Sequence, residues 1–407
     1  MRIGRTLPPA AAPISLTDIL NGLRGGLEGP HEINRFIAEL KAYFNVSHCF
    51  LVSSGKVALT LILRALKYDS PDRNEVLIPA FTCYSLPSAI VRAGLKVRLC
   101  DIDPRTLDFD ESLSRHLENP KNLLAVVCPH LFGLTADIGR IREIIKDEKV
   151  TVIDDAAQVM GGIEENDFLG TKGDVGFFSL GRGKALSTVE GGIIVSDSDQ
   201  IGRRIESLIQ KIPVQPGMHQ AKLFVYALVL NVLIPPALFW LPKSIPGLRL
   251  GETVYDPGFP VGRFSSFQAG LARNWQGRVK FLQQIRRQNV CYWLETLKRF
   301  TWMRPVYIKK EPDKVPPMLR LPVMLQDADL RDALLEASEE KGLGIMPSYP
   351  DAIDGIKQLE IVNKAGAFSG AKECANRLLT FPVHGYIRQK DRERIIECLE
   401  DIDQKVT

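Results

Sequence analysis

Short apolar runs alternating with helix-spaced segments constrain this chain most. Cys49–Val52, Glu75–Ile78, Lys96–Cys100, Leu123–Val127, Val150–Ile153, Gly176–Phe178 and Gly192–Val195 read as short strands. Helical spacing fills Lys56–Leu66, Ser85–Ala93 and Ile138–Lys149 between them. Strands buried on both faces lose the alternation of a half-exposed strand, and parallel neighbours need a helical crossover. The pattern predicts an α/β fold with a mostly parallel sheet covered on both faces.

Outside that stretch the texture differs. The first 14 residues are rich in Pro and Ala and read as an extended arm. A helix follows over Leu16–Leu23, stopped by Gly25-Gly26, and another over Ile33–Phe44. Residues 211–260 carry many Pro and Gly and read as an insertion. Beyond it, Phe264–Thr301 reads as a long helix or a pair, and Leu319–Leu325 and Leu378–Pro382 as strands. Ala328–Lys341 and Lys390–Val406 read as helices, which suits a smaller α+β domain. The expected division is an arm and helix over 1–30, a large α/β domain over 31–210, an insertion over 211–262 and a small domain over 263–407.

Composition narrows the partners. The chain has 407 residues, 52 Lys plus Arg against 48 Asp plus Glu, and no concentrated basic stripe. That argues against nucleic acid. Seven scattered cysteines without a CxxC suit a reducing compartment. The N-terminus lacks the apolar core of a secretory signal. The expected location is cytoplasmic. The six histidines show no metal-ligand spacing, so no metal is expected.

Three places carry candidate chemistry. Ser53-Ser54-Gly55-Lys56 joins a strand to a helix, and reads as a phosphate cradle or as a plain serine N-cap. Thr151–Asp155 is an apolar strand ending in two carboxylates, which alternation points to opposite sides. At most one faces a ligand, and both suit capping of the next helix. Phe177–Lys184 surrounds one serine and one lysine with aromatics and glycines. A pocket lysine that loses its charge becomes a nucleophilic amine; otherwise it is a surface lysine in a turn. Together a phosphate cradle, a carboxylate and an amine 29 residues further on match what pyridoxal phosphate needs for its phosphate, ring nitrogen and aldehyde.

With those residues in view, the chain resembles the DegT/DnrJ/EryC1/StrS family of sugar aminotransferases, from about residue 15 to the C-terminus. Ser54-Gly55-Lys56 is similar to the family's Ser-Gly-Thr turn, and Pro79–Cys83 to its Pro-Ala-Tyr-Thr-aromatic segment. Asp101-Ile102-Asp103, His130–Gly133, Asp155–Gln158, the Ser179/Lys184 spacing and Glu190-Gly191-Gly192 match further elements in order. The resemblance implies fold type I: a mostly parallel seven-stranded sheet with helices on both faces, plus a smaller α+β C-terminal domain. It implies pyridoxal 5'-phosphate as cofactor, with Lys184 bonded to its aldehyde and moving the proton. It further implies Asp155 at the pyridine nitrogen, Gln158 beside it, and Ser54, Gly55, Lys56 and Ser179 at the phosphate. Cys83 stands where the family stacks an aromatic ring, with Tyr84 next to it. Gly181 stands where the family has histidine, and Val261 where it has asparagine, while Arg263 is kept. Tyr84, Arg263, Tyr349 and His384 are the implied substrate-side residues; His130 reads as structural.

The implied reaction moves an amino group from an amino acid, glutamate foremost, to a keto-sugar, nucleotide-linked in the family. The setting is surface-polysaccharide or amino-sugar biosynthesis, and the implied assembly a homodimer. The alternatives are a lyase or acyl transfer on the same fold, or a non-catalytic regulatory homologue. One block falls outside the resemblance. Leu223–Pro242 holds 20 residues without a charge, interrupted by Pro235-Pro236. The break leaves no piece long enough to span a bilayer. Three readings stand: a buried dimer contact, a substrate lid, or a patch on the membrane interface flanked by Lys222 and Lys243.

Overall fold

The structure, a computed structural model, describes residues 3–118, 120–213, 217–245, 253–306, 315–363 and 368–406. The strands in chain order are β1 (His48–Val52), β2 (Glu75–Pro79), β3 (Lys96–Cys100), β4 (Leu123–Pro129), β5 (Thr151–Asp155), a short hairpin β6 (Ile163–Glu164) and β7 (Asp167–Phe168), β8 (Val175–Ser179), β9 (Gly192–Ser196), β10 (Met303–Pro305), β11 (Arg320–Leu325) and β12 (Leu378–Pro382). The helices are α1 (Leu16–Glu28), α2 (Pro30–Phe44), α3 (Gly55–Asp69), α4 (Ser85–Arg92), α5 (Leu113–Glu118), α6 (Ile138–Ile144), α7 (Asp199–Gln210), α8 (Gly217–Leu233), α9 (Trp240–Lys243), α10 (Ser266–Leu271), α11 (Trp275–Leu297), α12 (Ala328–Lys341), α13 (Ser369–Arg377) and α14 (Gln389–Val406).

The main sheet has seven strands in the order β1-β9-β8-β5-β4-β2-β3. β3, β2, β4, β5 and β8 run parallel, and β9 and β1 close one side antiparallel. Every residue of β2, β4 and β9 is buried, as expected for strands covered on both faces. The mostly parallel, seven-stranded α/β reading therefore stands. The C-terminal strands form a separate antiparallel sheet, β10-β11-β12.

Three local expectations change. α1 runs through Gly25-Gly26 to Glu28 instead of stopping there. Gly25 and Gly270 serve a helix crossing: a Cβ on Gly25 would lie 2.7 Å from the Cα of Gly270, and one on Gly270 2.3 Å from the Asn21 carbonyl. Close backbone contact with α10 thus offsets the roughly 1 kcal/mol that each mid-helix glycine costs. α6 ends at Ile144, five residues short of the expected Lys149. Phe264–Thr301 is a pair, split where Asn274 takes a left-handed φ of 53° between α10 and α11.

The arm is anchored along its length. The Thr6 amide donates to Pro236 O at 2.9 Å and the Leu7 amide to Gly342 O at 3.0 Å. Arg5 pairs with Asp391 at 2.6 Å, and Leu7 is buried. The charge-free block folds into the second half of α8, a Pro235-Pro236 turn and α9. Leu223 and Ala227 pack against Ile14, Ile19, Phe267 and Leu271. Val225, Tyr226, Val229 and Val232 stay exposed. Among the described residues no helix is long and apolar enough to cross a membrane.

Candidate functional site

The carboxyl ends of β1, β2, β4, β5 and β8 face one cavity of about 490 Å³. Open parallel sheets bind their ligands at such a place. Ser54, Gly55, Lys56, Cys83, Asp155, Gln158, Ser179 and Lys184 all line it. So eight residues spread over 131 positions of sequence share one space.

At the start of α3, Ser54 is both cap and cradle. Its Oγ accepts from the Val57 amide at 3.2 Å. The first helical bond runs from the Ala58 amide to Ser54 O, so the Gly55 and Lys56 amides lie ahead of the ladder. Such amides at a helix N-terminus suit an anion. A Cβ on Gly55 would press on Ser179 at 3.1 Å, and one on Gly192 would lie 2.3 Å from Ser54 O. The two glycines let three chain segments converge here. The Lys56 ammonium lies over the Phe259 ring at 4.5 Å and 4.0 Å from Asp256; burial lowers its pKa.

The two carboxylates at the end of β5 part company, as alternation requires. Asp154 turns into the core and accepts from His130 Nε2 at 2.8 Å and from the Gly170 and Lys172 amides at 2.8 and 3.0 Å. His130 Nδ1 accepts from the Ala136 amide at 2.9 Å, so Nε2 carries the proton. His130 is structural. Asp155 turns to the cavity. Its Oδ1 accepts from the Ala157 amide at 3.0 Å. Burial pushes its pKa up to about 6, against the pull of the Ala157 amide and the charge of Lys184. A carboxylate this dehydrated favours a cationic partner.

Gln158 bridges two walls. Its Oε1 accepts from the Phe132 amide at 3.1 Å and its Nε2 donates to Tyr349 Oη at 3.3 Å. Tyr349, also in the lining, is buried, and that raises its pKa. Cys83 lies within reach of Ser85 Oγ at 3.2 Å and Thr253 Oγ1 at 3.3 Å. Lys184 follows Gly183, whose φ of +73° is a glycine conformation. Behind it, the fully buried Arg286 donates to Lys184 O at 3.0 Å, Ala185 O at 3.3 Å and Ala11 O at 3.1 Å.

Three substrate-side expectations are not brought to the cavity. Tyr84 donates to Asp351 O at 3.2 Å, outside the lining. Arg263 donates to Ile212 O and Gln210 O, both at 2.8 Å. His384 is buried with Nε2 2.7 Å from Pro8 O, so it positions the arm whose Pro9 and Ala10 line the cavity.

Sequence reasoning missed several lining residues. Thr82 and Ser348 present buried hydroxyls with no partner, Arg320 is a cation whose pKa burial lowers, and Leu230, Ile234 and Phe239 come from the charge-free block. Phe132 and Val189 also line it with φ of +60° and +73°. Such strain in non-glycine residues clusters at functional sites. The motifs beside them were visible, but positive φ leaves no mark on a valine or phenylalanine.

His384 yields a pH prediction. Burial depresses its pKa to about 4, against an ordinary value near 6.5. Between those values the unfolded chain binds a proton that the folded one refuses. Stability therefore falls as pH drops from 6.5 towards 4, by about 3 kcal/mol from this residue. Thermal scans of His384→Asn are expected to show a shallower acid loss than wild type, and identical slopes would contradict it.

The residues present fit pyridoxal phosphate: an amide cradle closed by Gly55 and Ser179, unpartnered Thr82 and Ser348 hydroxyls, a buried Asp155 and the amine of Lys184. Comparison with known proteins agrees. L-glutamine:2-deoxy-scyllo-inosose aminotransferase of Streptoalloteichus tenebrarius is 32% identical over 206 residues, 49% of this chain and 48% of that protein. GDP-perosamine synthase of Vibrio cholerae is 33% identical over 170 residues, 42% and 45% of the two. The chain thus spans about half the length of the curated relatives it matches. The fold is that of the sugar aminotransferase CalS13 from Micromonospora echinospora (TM-score 0.76, 20% identity, 97% and 99% of the chains covered). It is also that of PseC from Helicobacter pylori, an aminotransferase of pseudoaminic acid biosynthesis (TM-score 0.78, 15% identity, 98% and 100% covered). A family profile matches residues 15–400. A chain with this fold, this ordered motif set and a match over almost its whole length belongs to the DegT/DnrJ/EryC1/StrS aminotransferase family.

Proposed function

We propose that this protein is a pyridoxal-phosphate-dependent aminotransferase that moves an amino group from an amino acid to a keto-sugar or related cyclic ketone. The observation that carries this is the convergence of Lys184, Asp155 and the Ser54–Lys56 cradle on one cavity. Bound there, the cofactor supplies an electron sink for cleaving the bond from the donor's Cα to its proton. Ser54, Ser179 and the Gly55 and Lys56 amides hold its phosphate. Asp155 keeps a proton at the ring nitrogen, because a dehydrated anion stabilises the cation beside it. Gln158 fixes that wall through Phe132 and Tyr349. Lys184, positioned by Arg286, takes the proton from the donor and returns it to the acceptor.

Arg320, a cation in the lining, is suited to the donor's α-carboxylate. The donor is an amino acid; a relative's name specifies L-glutamine, so glutamate and glutamine are both tested. The acting unit is a homodimer, supported by the family resemblance and by the exposed Leu16, Leu20, Leu23 and Leu27 on one helix.

The test follows the two half-reactions. Loaded protein mixed with glutamate or glutamine alone is expected to release one equivalent of keto acid and lose its absorbance near 415 nm, the region expected for a lysine-bound cofactor. A keto-sugar is then expected to restore the band. Turnover without keto-acid release would favour a lyase or acyl transfer.

A further inference from the structure

The charge-free block enters the candidate cavity. Leu230 of α8, Ile234 and Phe239 line it, beside Pro9 and Ala10 of the arm. Two hydrogen bonds join arm and block: the Thr6 amide to Pro236 O at 2.9 Å, and Asn231 Nδ2 to Ile14 O at 2.8 Å. The arm also lies on the lysine loop, since a Cβ on Gly183 would meet the Ala10 Cβ at 3.4 Å. Arg286 binds both strands of that contact through Ala11 O and Lys184 O. The result is a joined wall next to Lys184 made of five side chains that neither donate nor accept a hydrogen bond.

A substrate hydroxyl or charge turned to that wall leaves water and finds no partner. A hydrocarbon group turned to it leaves water and gains contact. We propose that Leu230, Ile234 and Phe239 are specificity-determining residues that select an acceptor bearing a hydrocarbon substituent at this wall. This rests on the aminotransferase reading above. The shared chemistry has two sources: the methyl of a deoxy-sugar, or the longer chain of an alkyl- or lipid-linked sugar.

The experiment compares keto-sugars that differ only in this substituent: hydroxymethyl, methyl and a linear alkyl chain. A hydrophobic pocket separates such pairs by roughly tenfold to a hundredfold in kcat/KM. Wild type is expected to prefer methyl or alkyl over hydroxymethyl by that factor, methyl marking the deoxy source and alkyl the lipid-linked one. Leu230→Ser and Ile234→Ser are expected to reduce the ratio to a few-fold, through KM and not kcat, whereas Leu230→Met keeps it. Calorimetry on cofactor-free protein with the non-reactive alcohol forms is expected to show the same order of affinity. An equal or reversed preference in wild type, or a ratio unmoved by the serine variants, would overturn the proposal. Keto-acid release from the donor alone serves as the control. If it fails in wild type, the aminotransferase reading fails; if it survives while the ratio is flat, only the wall is refuted.

Discussion

Lys184→Ala is expected to abolish turnover, with a loss of at least about a thousandfold. The size follows from the geometry. The cavity offers one amine beside the buried Asp155, on a loop held by Gly183 and Arg286. The other lining cations are placed for other work. Lys56 leans over Phe259, and Arg182 and Arg320 carry guanidiniums, which make poor nucleophiles. The proposed function gives Lys184 two jobs, covalent attachment and proton transfer, and losing both is not additive in a simple way. Folding should be little affected, because the side chain borders a cavity and not the packed core. Borohydride reduction after soaking with pyridoxal phosphate checks this directly. Wild type is expected to gain one covalent adduct on the Lys184 peptide, and the variant none. An adduct on Lys56 or Lys172 with full activity in Lys184→Ala would refute the assignment.

Arg286→Leu carries the largest expected effect on stability. The guanidinium is fully buried, and burial lowers its pKa to about 10, so it remains charged at neutral pH. Its side-chain bonds go to backbone carbonyls of Ala11, Lys184 and Ala185. Leucine leaves three carbonyls, two of them buried, without this donor, at about 1 kcal/mol each. The expected loss is about 3 kcal/mol, or a melting temperature roughly 3–4 °C lower. The same change frees the arm from the lysine loop. Limited proteolysis is expected to cut within residues 5–13 faster in the variant, and kcat to fall more than donor affinity. Arg286→Lys keeps the charge and one of the bonds, so partial recovery of kcat is the sign of a positioning role. A variant as stable and as active as wild type would show that the carbonyls find other partners.

The amino-acid sequence on its own determined the sheet and the chemical parts. Strands buried on both faces must be mostly apolar, so β2, β4, β5, β8 and β9 were visible as short runs, and so were the partly exposed edge strands β1 and β3. The cradle, carboxylate and amine were visible because each needs a residue type at a strand end: Ser54-Gly55, Asp155 and Lys184. Propensity failed where long-range contact overrode it, as at Gly25, which continues a helix because α10 packs against its bare backbone. Tertiary structure alone decided which side of each residue faces the cavity. It turned Asp154 to His130 and Asp155 to the cavity, and it withdrew Tyr84, Arg263 and His384 to backbone carbonyls. It also brought the arm and the charge-free block to the cavity that Lys184 lines. Nothing local marks that: hydrophobicity says a segment leaves water, but only the folded chain says what it meets there.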